Sequence, residues 1–459
     1  MQHTHKPIIM SIEQLCQLPR YNSPVVQVIL IGLVCFCCPG MFNVILGLGS
    51  GGLVSTTAAN NSLTALYITF TVFGVLGGAI CNILGPRMSV FLGCSSYVLY
   101  AGSFLNYNYT RNEGLVVAAG ALLGVGASML WAGQGAIMLS YPPAESTGVY
   151  ISLFWFIFNL GGVLGGLIPF VLNNDSVAQS VSNGTYVGLM VMMAVGTLIA
   201  LLLVPVDKVI RDDGSRITST QYSNALIEGW ATLKLFRNPK LLLLFPVCLA
   251  SNFFYTYQFN NVNGLLFNIR SRSLNNIFYW TAQIIGSIGL GYLLDHGSPN
   301  RRQRGFMGLG LVALLTIVVY AGGLANQLQY SRQHLPKPLD FMDSGLAYAG
   351  PALLYISFGV LDSMFQTLCY WTVASLSSEP ESLSRYSGFY KGVQSAGAAV
   401  AWQLDARKLP LLWELSMICL LFTISLPLLG LVLKDVSEDT KANGELEGIM
   451  SSQEPGGEP

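Results

Sequence analysis

The stretch LSRYSGFYKGVQSAGAAVAWQ, residues 383–403, is the segment from which the rest of the chain is interpreted. It is long enough to cross a bilayer at about 1.5 Å per residue, and most of its side chains are small or apolar. It nevertheless carries Lys391, and a lysine inside a bilayer costs about 3 kcal/mol unless it faces a partner or a wet cavity. The apolar segment before it carries Asp362. Two opposite charges in consecutive predicted spans indicate a functional centre inside a membrane protein.

The composition places the protein in a lipid bilayer. The 459 residues are 52% hydrophobic and only 10% charged, whereas soluble domains are about 25% charged. The mean hydropathy is +0.53 and the formal net charge is zero, so we expect no nucleic-acid partner. The first twenty residues lack the apolar core of a signal peptide. The first span is therefore expected to act as an uncleaved targeting signal.

Cysteine and histidine usage argues against a metal site or a cofactor. Eight of the nine cysteines fall in predicted spans, which makes a disulfide framework in exposed loops unexpected. The cluster Cys35, Cys37 and Cys38 is best explained as small apolar residues on a helix. All four histidines lie outside the predicted spans. We therefore predict no metal, no cofactor and no histidine proton relay.

Apolar runs of about twenty residues, the length that spans hydrocarbon, recur along the whole chain. They predict twelve spans, at about 24–47, 62–84, 88–107, 114–139, 148–172, 186–205, 240–262, 275–294, 305–325, 347–375, 383–403 and 410–433. The predicted divisions are an N-terminal segment 1–23, six spans in 24–205, a linker 206–239, six spans in 240–433 and an acidic disordered tail 434–459. Within the linker, Tyr222, Leu226, Trp230 and Leu233 recur at helical spacing, which predicts a short interfacial helix.

Two independent patterns predict that both termini are cytoplasmic. In that orientation the inner segments hold 15 Lys and Arg and the outer loops hold 7, in agreement with the positive-inside rule. The glycosylation sequons begin at Asn60, Asn108, Asn174 and Asn183, and all fall in loops assigned to the outside. The location is therefore expected to be the plasma membrane or an endomembrane, with these loops facing the exterior or the lumen.

The two halves carry related loops about 210 residues apart, which predicts a duplicated six-span unit. The second span is followed by Gly85-Pro86-Arg87. The eighth is followed by Gly291-Tyr-Leu-Leu-Asp295 and then by Arg301 and Arg302. Glycine near a span end, followed by cationic residues, is expected to form a gating loop in each half. The alternative is that these residues are only the ordinary positive charge of cytoplasmic loops.

The second loop resembles the signature of the major facilitator superfamily, and the first departs from it because it lacks an acid. Further stretches resemble the Unc-93 family, a divergent branch of that superfamily whose members of this type are typical of fungi. They are CPGMFNVILGLGSGG (38–52), NILGPRMSVFLG (82–93), WAGQGAIMLSYP (131–142), FWFIFNLGGVLGGLIPF (154–170), SNFFYTYQFNNVNG (251–264), LNNIFYWTAQIIG (274–286) and YSGFYKGVQSAGAAVAWQLD (386–405). The resemblance implies an all-α membrane protein with twelve transmembrane helices, in two pseudo-symmetric six-helix bundles around a central cavity. The family includes transporter-like orphans, receptor escorts and subunits associated with potassium channels.

The resemblance also implies that the first, fourth, seventh and tenth spans line the cavity, and these spans are unusually polar. Amides, phenols and an indole on an apolar concave surface suit a small organic solute. The alternative is that the same groups hydrogen-bond helix to helix and only stabilise the bundle. The candidate solute-binding residues are Asn43, Trp131, Gln134, Asn252, Tyr255, Gln258, Asp362, Gln366 and Lys391.

Asp362 has three interpretations, which the sequence leaves open. It is a proton-coupling site, a site for a cationic substrate, or one half of a structural ion pair with Lys391. A Lys391 without an acidic partner would instead indicate an anionic ligand or backbone carbonyls.

The sequence favours secondary transport of a small solute by alternating access, coupled to protons through Asp362. The alternative is a non-transporting accessory protein that escorts or regulates another membrane protein, a receptor or an ion channel. The incomplete first loop favours this alternative. An enzyme is not expected, because the spans contain no histidine, no metal-ligand cluster and no nucleophile–base pair.

Overall fold

A computed structural model describes residues 20–49, 55–141, 147–172, 181–211, 214, 230–231, 233–298, 300–376 and 380–436. Within these residues the chain is helical, and its only β feature is an isolated bridge between Phe267 and Leu339. The helices are α1 Pro24–Cys37, α2 Pro39–Gly47, α3 Thr56–Thr110, α4 Glu113–Ser140, α5 Thr147–Leu172, α6 Asn183–Ala200, α7 Pro239–Phe253, α8 Ile269–His296, α9 Arg301–Gln327, α10 Leu346–Ala374, α11 Pro380–Ala406 and α12 Leu411–Leu433. Short 3-10 turns cover Val206–Lys208 and Leu235–Arg237, and a π-helix covers Tyr257–Gly264.

Twelve spans arise from these elements, as the sequence predicts. Ten segments of the described chain are long and apolar enough to cross a membrane. The remaining two spans are the first part of α3 and the polar helix α11, which pack against each other between the two halves. The all-helical fold predicted from the sequence is thereby confirmed.

Proline and glycine divide two of the helices where the sequence places them. The first span ends as α1 at Cys37 and restarts as α2 at Pro39, because proline has no N–H to continue the ladder. Close packing accompanies this break, since a methyl group added at Gly40 would lie 3.0 Å from the Gly161 Cα. In α3 the break falls at Gly85, whose φ of 77° is readily adopted only by glycine. The second and third predicted spans meet at this kink.

The two six-helix bundles, α1–α6 and α7–α12, meet along two helix pairs. The helix α3 packs against α11, and α5 packs against α8. A methyl group on Gly162 of α5 would lie 2.5 Å from the Trp280 ring of α8, so only glycine permits this approach. The glycines of α5 therefore form a helix-packing surface.

The residues before α1, the segment after α6 and the end of α12 lie at one end of the bundle. The side chain of Asn22 donates to the Lys208 carbonyl at 3.1 Å, and the Ile210 N–H donates to the Asn22 carbonyl at 3.1 Å. Lys240 at the start of α7 pairs with Asp435, just after α12, at 3.3 Å. We call this end the terminal end and the opposite one the far end.

Several predictions concern residues that the structure does not describe. Tyr222 and Leu226 of the expected interfacial helix, Asn174, and the tail after residue 436 lie outside the described residues. Trp230 and Leu233, which belong to the same predicted helix, are described and are exposed.

Candidate functional site

A central cavity of about 100 Å³ lies between the two bundles, and helices of both bundles form its wall. Its apolar wall is strongly aromatic, with rings from Phe42, Tyr67, Phe70, Tyr97, Trp131, Trp155, Phe158, Tyr255 and Trp280. Its polar wall is formed by the side chains of Asn43, Asn252, Gln283, Gln366, Lys391, Gln394 and Ser395. An apolar concavity with a few directed polar groups is the usual form of a small-molecule site.

Asp362 lies directly behind this wall, fully buried in the middle of α10. Its Oδ2 accepts hydrogen bonds from the Gln283 amide at 2.5 Å and from the Tyr279 hydroxyl at 3.1 Å. Its Oδ1 accepts one from the Gln366 amide at 2.6 Å. These hydrogen bonds replace part of the hydration that the carboxyl group loses on burial.

A chain of side-chain amides connects Asp362 to Lys391. The Gln394 amide nitrogen donates to the Gln366 Oε1 at 3.1 Å, and the Lys391 ammonium donates to the Gln394 Oε1 at 3.0 Å. Asp362 and Lys391 thus form no direct ion pair. The direct ion pair between Asp362 and Lys391, one of the interpretations that the sequence leaves open, is not formed. The two residues are connected through Gln366 and Gln394 instead.

Three aromatic rings surround the Lys391 ammonium. Its Nζ lies 4.8 Å from the ring centre of Trp131, 5.4 Å from that of Tyr370 and 5.7 Å from that of Tyr390. Ring faces carry negative charge density and attract a cation at these distances. Trp131 belongs to the N-terminal bundle and the other two belong to the C-terminal bundle, so this cage, which we call the Lys391 cage, spans the two halves.

The structure brings most of the predicted solute-binding residues to one place. Those that line the cavity are Asn43, Trp131, Asn252, Tyr255, Gln366 and Lys391. Asp362 lies one layer behind, and Gln258 lies deeper still, where its Oε1 accepts from the Tyr279 hydroxyl at 2.7 Å. Gln134, which the structure also describes, does not line the cavity. Gln258 lies in the π-helix that begins at Tyr257. Because a π-helix has a wider turn than an α-helix, Gln258 is not on the face that regular α-helical spacing predicts.

The predicted gating-loop residues lie at the terminal end, far from the cavity. Arg87 and Asp295 are exposed, and so is Arg302. The Arg301 guanidinium lies 5.6 Å from the Trp371 ring centre, which ties the loop before α9 to the end of α10. The role of these residues in gating stays a prediction.

A second polar cluster joins the bundles at the far end. The Asp405 Oδ2 accepts from the amides of Asn60 and Asn260, each at 2.7 Å. The Arg332 guanidinium contacts the Asp405 Oδ1 and the Glu414 Oε1, the latter at 2.8 Å. Asn60 belongs to the N-terminal bundle and the other members to the C-terminal bundle. We call these five residues the far-end cluster.

Arg332 is the cation of the far-end cluster. Burial by itself would lower the pKa of Arg332, but the carboxylates of Asp405 and Glu414 raise it above its ordinary value. The guanidinium therefore stays charged between the buried carboxyl groups of Asp405 and Glu414. Separating the members of this buried cluster would leave charged groups without their partners, which is costly. We therefore expect the cluster to hold the two bundles together at the far end.

The predicted glycan at Asn60 does not agree with this geometry. The side chain is fully buried in α3 and its amide nitrogen is used in the bond to Asp405, so a glycan has no room there in the folded protein. Asn183 is exposed and Asn108 is half-buried near the end of α3, where its amide donates to the Asn183 Oδ1 at 2.8 Å. They stay predicted acceptors.

Sequence reasoning missed the residues that complete both sites. Gln283, Gln394 and Tyr279 were not recognised as partners of the two charges, and the far-end cluster was not recognised at all. A signal existed for Gln394, which follows Lys391 by three residues and so shares its helix face. The far-end contacts carry no such signal, because Asn60 and Asp405 are 345 residues apart.

Comparison with known proteins then gives the family. The sequence profile described as "Ion channel regulatory protein UNC-93" matches residues 50–427. The chain belongs to the UNC-93 family. This family member is 57% identical over 415 residues to UNC93-like protein 1 of Arabidopsis thaliana, with 90% of each chain covered. It is 43% identical over 397 residues to an UNC93-like protein of Schizosaccharomyces pombe, covering 85% of this chain and 78% of that one. The similarity thus extends beyond fungi to plants.

Solved structures show the same architecture at low identity. The Escherichia coli fucose:proton symporter superposes on this UNC-93 family protein with a TM-score of 0.58 at 13% identity, covering 90% of this chain and 99% of that one. A D-xylose–proton symporter superposes with a TM-score of 0.57 at 14% identity, covering 91% and 98%. The fold is therefore that of major facilitator transporters.

Proposed function

We propose that this UNC-93 family protein is a secondary transporter that moves a small solute by alternating access, with Asp362 as its proton-coupling site. The observation that carries the proposal is a buried carboxylate whose hydrogen-bond donors are themselves cavity-wall residues. Gln283 and Gln366 each bond Asp362 and each line the cavity.

This arrangement links proton binding to the shape of the cavity. An ionised carboxylate only accepts hydrogen bonds, whereas a protonated one carries an O–H that must find an acceptor. Protonation of Asp362 removes the charge to which the amides of Gln283 and Gln366 donate, and hydrogen bonds to a neutral acceptor are about half as strong. Both cavity-wall glutamines would then be held less firmly, and a turn of either one changes the cavity wall. Protonation and solute binding would therefore influence each other.

The far-end cluster supports alternating access. It connects the bundles through Asn60, Asp405 and Asn260, so opening the far end requires these bonds to break. With cytoplasmic termini, the far end is the exterior side and the described conformation is closed to the exterior. Rocking of one bundle against the other would exchange this closure for one at the terminal end.

The test is proton flux into proteoliposomes that contain the purified protein and a pH-sensitive dye, measured with a panel of solutes. We expect solute-dependent flux in the wild type and its loss in Asp362→Asn, which keeps the size of the side chain but carries no titratable group. Asp343→Asn is the matched control, because Asp343 is an exposed loop carboxylate. Equal flux in wild type and Asp362→Asn would refute the coupling role.

A second candidate function is regulation or escort of another membrane protein. Two observations favour it: the family description names ion-channel regulation, and the first gating loop has Arg87 without an accompanying acid. Absence of flux with every solute, in folded protein and under several gradients, would favour this candidate. Capture of partners from native membranes, compared between wild type and Lys391→Met, would then be the next experiment.

A further inference from the structure

We infer that the cavity binds a small planar organic anion, whose carboxylate contacts Lys391 and whose flat apolar part lies between the aromatic side chains. The inference rests on the proposed function, because it names the solute class for the same cavity. The sequence leaves a cationic and an anionic ligand open, and the positions of the two buried charges distinguish them.

Lys391 faces the cavity, whereas Asp362 does not. Among the described residues that form the wall, Lys391 is the charged one. Asp362 lies behind Gln283 and Gln366, and its two oxygens already accept three hydrogen bonds. A cationic solute would therefore meet an ammonium before it met a carboxylate. A solute anion would meet the ammonium directly.

Lys391 also has hydrogen bonds to give. An ammonium has three N–H donors, and within the described residues its one hydrogen-bond acceptor is the Gln394 Oε1, at 3.0 Å. The other contacts of its Nζ are the ring faces of Trp131, Tyr370 and Tyr390. A carboxylate oxygen is a stronger acceptor for a cation than a ring face, because the charged hydrogen bond is short and directional. The Lys391 cage thus positions the ammonium but does not supply hydrogen-bond acceptors for all three of its N–H donors.

The aromatic side chains of the cavity wall set the shape of the solute. The indoles of Trp131, Trp155 and Trp280 and the phenol rings of Tyr67 and Tyr97 all line the cavity. Flat rings favour offset or edge-to-face packing with another flat group. The cavity volume of about 100 Å³ limits the solute to a small molecule. Planar carboxylates the size of benzoate fit these conditions.

The experiment compares three probes of one size that differ in charge: benzoate, benzamide and benzylamine. Equilibrium binding to the purified protein in lipid nanodiscs is measured by calorimetry at constant ionic strength. We expect benzoate to bind at least about tenfold more tightly than benzylamine or benzamide, since a charged hydrogen bond contributes that much. Lys391→Met should reduce this preference to about twofold or less, and Lys391→Arg should retain it. Lys240→Met, at an exposed ion pair of the terminal end, should bind as the wild type does.

Three outcomes would refute the inference that the cavity binds a planar organic anion. Benzylamine or benzamide could bind as tightly as benzoate, benzoate could bind Lys391→Met as tightly as the wild type, or benzoate could fail to bind folded wild-type protein. The wild-type comparison needs no variant, so a folding defect in Lys391→Met does not hide the answer. Benzoate binding without proton flux would refute transport but retain this site. Flux with a different solute class and no benzoate binding would refute only the anion assignment.

Discussion

Asp362 and Lys391 are connected through the side-chain amides of Gln366 and Gln394 rather than by a direct ion pair. Among the described residues, Gln283, Gln366 and Tyr279 contact the carboxyl group, whereas the ammonium has one amide oxygen and three ring faces as neighbours. Their separation leaves the ammonium at the cavity and the carboxylate behind it. This relationship leads to the first two predictions.

Gln366→Leu should destabilise the protein, because one change removes a donor to Asp362 and the acceptor of Gln394. An unsatisfied buried polar group costs about 1–3 kcal/mol, and more when it is charged. The measurement is the thermal unfolding midpoint in detergent, which should fall by several degrees. Gln329→Leu is the matched control, since the side chain of the exposed Gln329, just after α9, bonds the Ala325 carbonyl, and the variant should unfold as the wild type does. Equal midpoints for the two variants would contradict the amide chain.

Trp131→Leu should weaken the Lys391 cage while leaving Asp362 untouched. The Trp131 ring is the nearest of the three rings to the ammonium, at 4.8 Å, and a desolvated cation–π contact contributes about 2 kcal/mol. We expect a lower unfolding midpoint and faster modification of Lys391 by a small amine-reactive reagent. Trp413→Leu, at a largely exposed position on α12, controls for the loss of an indole. If modification of Lys391 were unchanged in Trp131→Leu, the ring would not shield the ammonium.

Arg332→Ala should be more damaging than removal of another arginine. It leaves the buried carboxylates of Asp405 and Glu414 without their cation, and breaking a buried ion pair costs about 3 kcal/mol or more. Because Arg332 is partly exposed, the lower end of that range applies. We expect a lower unfolding midpoint together with greater labelling of a cysteine introduced at Thr64, a buried position one turn after Asn60 in α3, because the two bundles separate at the far end. Arg302→Ala, at the exposed loop of the terminal end, should change neither. Unchanged labelling in Arg332→Ala would refute the role of the cluster in closure.

Asn108→Gln and Asn183→Gln should each remove a glycan, whereas Asn60→Gln should not. Asn183 is exposed and Asn108 is half-buried near the end of α3, whereas Asn60 is fully buried with its amide nitrogen bonded to Asp405. Gel mobility before and after enzymatic deglycosylation distinguishes the variants. Asn60→Gln should instead lower the unfolding midpoint, because the longer side chain cannot keep both of its bonds. A glycan on Asn60 of the folded protein, or none on Asn108 and Asn183, would contradict this assignment and, in the second case, the predicted orientation.

The loop between α9 and α10 should lose stability in acid. Burial would raise the pKa of Asp340, but hydrogen bonds from Arg270, the Met342 N–H and Asn268 outweigh it and lower the pKa below its ordinary value. A lowered folded-state pKa contributes stability above the ordinary carboxylate pKa of about 4 and loses it as the pH falls below that value. The wild-type midpoint should therefore decrease between pH 5 and pH 3 more than that of Asp340→Asn. Parallel curves for the two proteins would show that Asp340 does not contribute.

The sequence by itself determined the all-helical membrane fold, the twelve spans and the breaks within them. Apolar runs of spanning length are dictated by the thickness of the bilayer, and Pro39 and Gly85 act on their own backbone, so these features are local. The sequence also identified Lys391 and Asp362, because a charge inside an apolar run is costly wherever it occurs.

Only the tertiary structure decided which groups these charges meet. Gln283 reaches Asp362 from another helix, and Trp131 reaches Lys391 from the other bundle, contacts that no spacing along the chain predicts. The far-end cluster likewise joins Asn60 to Asp405 across most of the chain, and it converts a predicted glycan acceptor into a buried hydrogen-bond donor. Whether a segment forms a membrane-spanning helix depends on residues that are close to one another in the chain. The partners of a buried polar group follow from how the two bundles dock, which depends on the whole packed interface.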